Sequence, residues 1–203
     1  MSERSRGRPP SLQATQAALR AAAEVLAREG YDGLTIEGLA REAGLGKQTI
    51  YRRWPDKRAL VLAVVQEVGR AELPEVRLEP SQAPAADASR VGSDGPTPRG
   101  PSAVVAYLER LVATLSWPGL ASAFMGLMTE AQSDPEFGAR FRSELLAERR
   151  AVLIRALAEL RAEASPDDLE ESADRIFGTI LYNLFVWGRE MDRNYLQRLL
   201  EQA

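Results

Sequence analysis

No cysteine and no histidine occurs among the 203 residues. That absence removes disulfides, thiolate and imidazole metal ligands, Ser-His-Asp triads and Cys-His pairs together. What remains for chemistry is carboxylate, Lys, Tyr and Ser/Thr, and paired acids on a helix are far more often a solvated face than an acid–base pair. The expectation is a non-enzyme with no catalytic residue, no metal and no cofactor. Long apolar runs are missing too. Without a stretch of 18 apolar residues, and with an N-terminus reading Met1-Ser-Glu-Arg-Ser-Arg-Gly-Arg8, the chain is expected to be cytoplasmic and free of membrane contact.

Strand-like alternation is also lacking, whereas helical periodicity recurs along most of the chain. Hydrophobic residues make up 45% and charged residues 27%, the balance of a folded globular protein. The net charge of −3 divides unevenly. Residues 1–58 hold 11 Lys and Arg against 7 Asp and Glu, a net +4, which leaves −7 on the remainder. A basic head on an acidic body suits a polyanionic partner.

The head reads as short helices. Leu19, Ala22, Val25 and Leu26 mark one face of a first helix over 11–29, stopped by Gly30 and Tyr31. Thr35 caps a second, with Ile36, Leu39, Ala40 and Ala43 at core spacing. Gly44-Leu45-Gly46 makes a tight turn. A third helix covers 47–54 before Pro55, and Asp56 caps a fourth running to about Glu72. Two short helices joined by a glycine turn form a helix-turn-helix, whose second helix enters the DNA major groove. At about 100° per residue, Gln48, Tyr51 and Arg52 share an outward arc while Ile50 and Trp54 face inward. Gln and Arg suit the edges of adenine and guanine. Lys47, Thr49 and Lys57 suit phosphates. A carboxylate enzyme and a helical protein-binding module are the competing classes.

The run from Gly30 to Leu60, and within it Thr49-Ile-Tyr-Arg-Arg-Trp-Pro-Asp-Lys57, closely resembles the DNA-binding domain of tetracycline-repressor (TetR/AcrR) family regulators. The resemblance spans about residues 11–70. It implies phosphate contacts from Thr35, Lys47, Thr49, Tyr51 and Lys57, and base approach by Gln48, Tyr51 and Arg52. Two positions depart from the pattern: Gly46 stands where Ser often caps the recognition helix, and Gln48 where a small residue is common.

The expected organisation is all-α. A basic arm over 1–10 (Arg4, Arg6, Arg8) precedes a helix-turn-helix domain over 11–72. A linker or loop follows over 73–100, since residues 73–101 hold six of the twelve prolines. Helices over 101–116, 118–132, 135–164, 166–187 and 192–202 then form a C-terminal domain. Family likeness, supported by Glu130-Ala-Gln-Ser-Asp-Pro-Glu-Phe137, implies that this domain binds a ligand and dimerises through its last two helices. The apolar band ending at Trp187 is too wide for a helix with one covered face. Ile176, Ile180, Leu184, Tyr195, Leu199 and Leu200 are the expected dimer interface. Tyr107, Trp117, Phe124, Met125, Met128, Phe137, Phe141 and Phe177 are the candidates to line a pocket for a small apolar effector. The function so implied is that of a sequence-specific transcriptional regulator, a ligand-responsive repressor working as a homodimer on a palindromic double-stranded operator.

Overall fold

A computed structural model describes residues 12–72 and 100–203. The expected arm over 1–10, and the linker expected over 73–100 except for Gly100, lie outside the described residues. Ten α-helices and no strand occur among those described: α1 (Leu12–Gly33), α2 (Ile36–Glu42), α3 (Lys47–Tyr51), α4 (Lys57–Glu72), α5 (Pro101–Ser116), α6 (Pro118–Ser133), α7 (Pro135–Phe141), α8 (Ala147–Leu160), α9 (Pro166–Phe185) and α10 (Arg193–Gln202).

The helix ends follow local chemistry. Thr35 Oγ1 accepts the Gly38 N–H at 3.0 Å and Asp56 Oδ1 the Ala59 N–H at 2.8 Å, so both expected caps form. Ser165 and Asp168 close a reciprocal capping box on α9, and Asp192 caps α10. Asp134 accepts the N–H groups of Glu136 and Phe137 and so starts α7.

Three expected boundaries need correction. Helix α3 ends at Tyr51 rather than 54, because the N–H groups of Arg53 and Trp54 both turn back to the Ile50 carbonyl before Pro55. The continuous helix expected over 135–164 is interrupted by a π-helical turn at Arg142–Leu146. It stops at Leu160, where Arg161 leaves helical backbone and its guanidinium reaches Ser172 Oγ and the Leu200 carbonyl. Helix α9 ends at Phe185, two residues early, and Gly188 follows with φ 60°.

The described chain forms two compact units, and these cut across the expected segments. One unit takes the residues through Gly69 together with Leu115–Phe141, so α6 and α7 pack with α1–α4. Its core centres on the fully buried Leu26, Leu34, Leu39, Ile50, Leu60 and Leu127. Helix α6 comes close to α1 because Gly126 has no side chain: a Cβ there would overlap the Tyr31 ring. The other unit takes Arg70–Thr114 and Arg142–Ala203, where Leu108, Leu153, Leu157 and Ile176 are fully buried. Arg150 on α8 joins Asp174 and Glu170 on α9 at 2.7 and 3.2 Å.

Candidate nucleic-acid interface

The helix-turn-helix is built from α2, a glycine turn and α3. Gly44 takes φ 64°, a left-handed conformation that L side chains adopt at a cost. The Leu45 N–H then bonds the Ala40 carbonyl at 2.9 Å. Arg28 of α1 grips Glu42 of α2 through two hydrogen bonds of 2.9 and 3.0 Å, and this pairing holds the Glu42 carboxyl below its ordinary range.

Within α3 the inward side is closed and the outward side is free. Ile50 is 1% exposed, and Trp54 beyond the helix end is buried too. Gln48, Tyr51 and Arg52 are exposed, in the arrangement the periodicity predicts for a reading face. Lys47 is exposed and lies 3.0 Å from Glu37, whose carboxyl it holds below the ordinary range. Gly46 offers α3 no side-chain cap. Thr35 is exposed, and Thr49 and Lys57 are half-buried.

Side chains of α1, α4, α6 and α7 meet behind this surface. The Lys57 ammonium sits 4.1 Å from the centroid of the buried Tyr31 ring. Burial lowers its pKa, against opposing attraction from Asp32 and Glu130. Tyr31 donates its hydroxyl to Glu130 at 3.3 Å, and its backbone N–H meets Ser122 Oγ at 2.7 Å. Burial first, then Glu130, raises the Tyr31 pKa. Arg58 pairs with Asp134 at 2.7 Å and with Asp56 at 3.2 Å, and lies over the Phe137 ring. Ser122 and Glu130 stand 91 and 99 residues from Tyr31, and Asp134 stands 76 from Arg58, so no local pattern joins them.

The effector candidates divide between the units. Phe124, Phe137 and Phe141 are buried and pack ring against ring, with centroids 5.7 Å apart for Phe124–Phe141 and 6.4 Å for Phe137–Phe141. Met128 is half-buried, whereas Trp117 and Met125 are exposed. In the other unit Phe177 is half-buried and Tyr107 is buried, its hydroxyl without a hydrogen-bond partner. Burial pushes the Tyr107 pKa up to about 12. Two open cavities, of about 230 Å³ between α1 and α4 and about 310 Å³ between α9 and α10, are lined by none of the eight. Among the described residues no cluster of three or more acids could hold a metal ion.

The residues expected at a dimer interface take these places within the single chain. Ile176 and Ile180 are 0% exposed within the single chain, and Leu199 and Leu200 are buried as well. These side chains form the unit's own core. Leu184 and Tyr195 are half-buried, the Tyr195 hydroxyl accepting from Asn183 at 3.1 Å. The apolar side chains left outward are others: Tyr182 at 52%, Val186 at 66% and Trp187 at 55% exposure. Tyr182 and Trp187 pack edge to face, 6.3 Å between centroids.

Comparison with known proteins gives a consistent result. The family model described as bacterial regulatory proteins, tetR family, matches residues 18–64. A second, described as the tetracyclin repressor-like C-terminal domain, matches residues 102–203. Over 204 residues the chain is 25% identical to the uncharacterized HTH-type transcriptional regulator YdeS of Bacillus subtilis, covering 98% of this chain and 91% of that protein. Over 49 residues it is 43% identical to the DNA-binding transcriptional repressor TetR of Mycobacteroides abscessus, covering 24% of this chain and 26% of that one. The solved structure of the TetR family transcription regulator SCO0332 matches with a TM-score of 0.63 at 23% identity, covering 94% of this chain and 96% of that one.

Proposed function

The chain belongs to the TetR family of bacterial regulatory proteins, with a DNA-binding helix-turn-helix, and from that premise we propose that it is a repressor acting as a homodimer on a palindromic operator and released by a small effector. The observation that carries the proposal is α3, where an apolar side locked on Ile50 leaves Gln48, Tyr51 and Arg52 exposed together. Gln48 and Arg52 are the proposed base readers. Lys47, Thr49, Lys57 and Thr35 take phosphates, and Tyr51 serves either role. Its place of action is the cytoplasm, and no single helix among the described residues is long and apolar enough to cross a membrane.

Dimerisation is supported by the C-terminal end of α9 and the residues just past it, where Tyr182, Val186 and Trp187 leave apolar surface exposed. A surface of this kind marks an interface, and two-fold pairing brings the same patch from each copy. The dimer then offers two recognition helices to half-sites about 34 Å apart or a multiple of it.

Release by an effector is supported by the Tyr107 hydroxyl, a buried polar group without a partner, which a ligand carrying one hydrogen-bonding group would satisfy. The effector proposed is small and largely apolar. If it binds better to a form with low DNA affinity, DNA lowers effector affinity by the same factor. Selection of bound sequences from random duplex DNA tests the whole reading. A palindrome with two equivalent half-sites is expected, whereas recovery of unselected sequence, or of a single half-site, overturns it.

A further inference from the structure

Lys57 differs from the other cations proposed to meet DNA. Lys47 lies in solvent beside an equally exposed Glu37, while Lys57 lies on the face of an aromatic ring that is itself fixed from behind. The ring belongs to Tyr31, just past the break in α1 at Gly30, where φ is 72°, and three contacts from α6 hold it. Ser122 Oγ accepts its backbone N–H at 2.7 Å, Glu130 accepts its hydroxyl at 3.3 Å, and Gly126 leaves the space the ring occupies. Asp32 and Glu130 are the carboxylates that act on the ammonium. Glu130 thus touches the ring and attracts the cation above it.

A free lysine loses rotamer freedom when it binds a phosphate, and a lysine already held loses less. We infer that Tyr31 is a positioning residue for DNA binding, its ring presetting the Lys57 ammonium for a backbone phosphate, with α6 fixing the ring. The inference rests on the DNA-binding reading above. It makes α6, which carries no proposed DNA contact, a determinant of DNA affinity through one side chain.

A double-mutant cycle separates positioning from plain packing. The probe is bulk duplex DNA at low salt, because phosphate contacts do not depend on sequence. Tyr31→Leu is expected to weaken binding about two- to fivefold in the wild-type background, as Lys57 loses its preset position, and to have no further effect in the Lys57→Ala background. Tyr31→Phe keeps the ring, its backbone bond to Ser122 and its place against Gly126, giving up only the Glu130 hydrogen bond, and is expected to keep most of the affinity. Equal losses in both backgrounds, or failure of Phe to rescue, overturn the inference while leaving the DNA reading standing. Wild type that binds no duplex DNA overturns both. Should Tyr31→Leu not fold, proton NMR of the wild type decides: upfield ring-current shifts of the Lys57 side-chain methylenes are expected, and random-coil shifts there overturn the inference.

Discussion

Helix α3 spans five residues and turns its polar side chains outward, whereas α9 spans twenty and leaves Tyr182 outward, with Val186 and Trp187 exposed just past its end. In α3 a single apolar side, marked by Ile50, has one place to go, so the opposite arc becomes the surface. In α9 two sides are apolar. One, through Leu169, Ala173, Ile176 and Ile180, enters the core of its unit, and the other carries Tyr182, exposed beside Trp187 just past the helix end. Periodicity therefore identifies the working face of a helix when one face is apolar, and leaves it undecided when two are.

The largest expected effect sharpens that contrast. Ile180→Glu places an unpaired charge at a fully buried position and is expected to cost about 3–5 kcal/mol of folding stability, seen as loss of the cooperative thermal transition in circular dichroism. Tyr182→Glu, two residues on, is expected to leave the fold intact and abolish self-association in sedimentation. If Ile180→Glu instead yields a stable folded monomer, the assignment of the two faces is reversed.

Gly126→Ala tests the unit that carries α3. The added methyl meets the base of the Tyr31 ring, which cannot swing away without leaving its site against α6. Overpacking of this kind costs about 1–3 kcal/mol, read as a lowered melting temperature by calorimetry. An unchanged melting temperature would show that α6 and α1 separate easily, which the close approach of Gly119 to the Ala27 backbone argues against.

Arg52→Ala leaves stability alone and is expected to remove about 1–3 kcal/mol of discrimination at one base pair per half-site, measured by repeating the sequence selection. Uniform weakening across all duplexes would reassign Arg52 to the phosphates. The smallest effect is expected from Gly46→Ser, which supplies the side-chain cap that α3 lacks. A Ser cap exceeds Gly by a few tenths of a kcal/mol, so the melting temperature rises slightly. A fall would mean that the turn needs glycine at 46 as well as at 44.

Much of the reading surface was legible because its determinants are local. Thr35, Gly44, Ile50 and Asp56 act within a few residues of themselves, through caps, a turn and one-sided burial. The supports behind it were not legible. Tyr31 looked like the hydrophobic contact that follows a glycine stop, and Arg58 counted only toward the basic charge of the head. Their partners, Glu130 and Asp134, stand 99 and 76 residues away, with no spacing rule linking them. The same limit hid the grouping of α6 and α7 with the first four helices, since chain order alone puts them with α5 and α8.

The all-helical architecture, the helix-turn-helix and the polar arc of α3 were determined by sequence alone, because caps, turns and the 3.6-residue period act over distances shorter than one helix. Only the tertiary structure decided which apolar face of α9 enters the core, that Lys57 rests on Tyr31, and that α6 packs against α1. Each of those outcomes depends on burial against segments remote in sequence. The free energy of such burial belongs to the pair of surfaces and is carried by neither one alone.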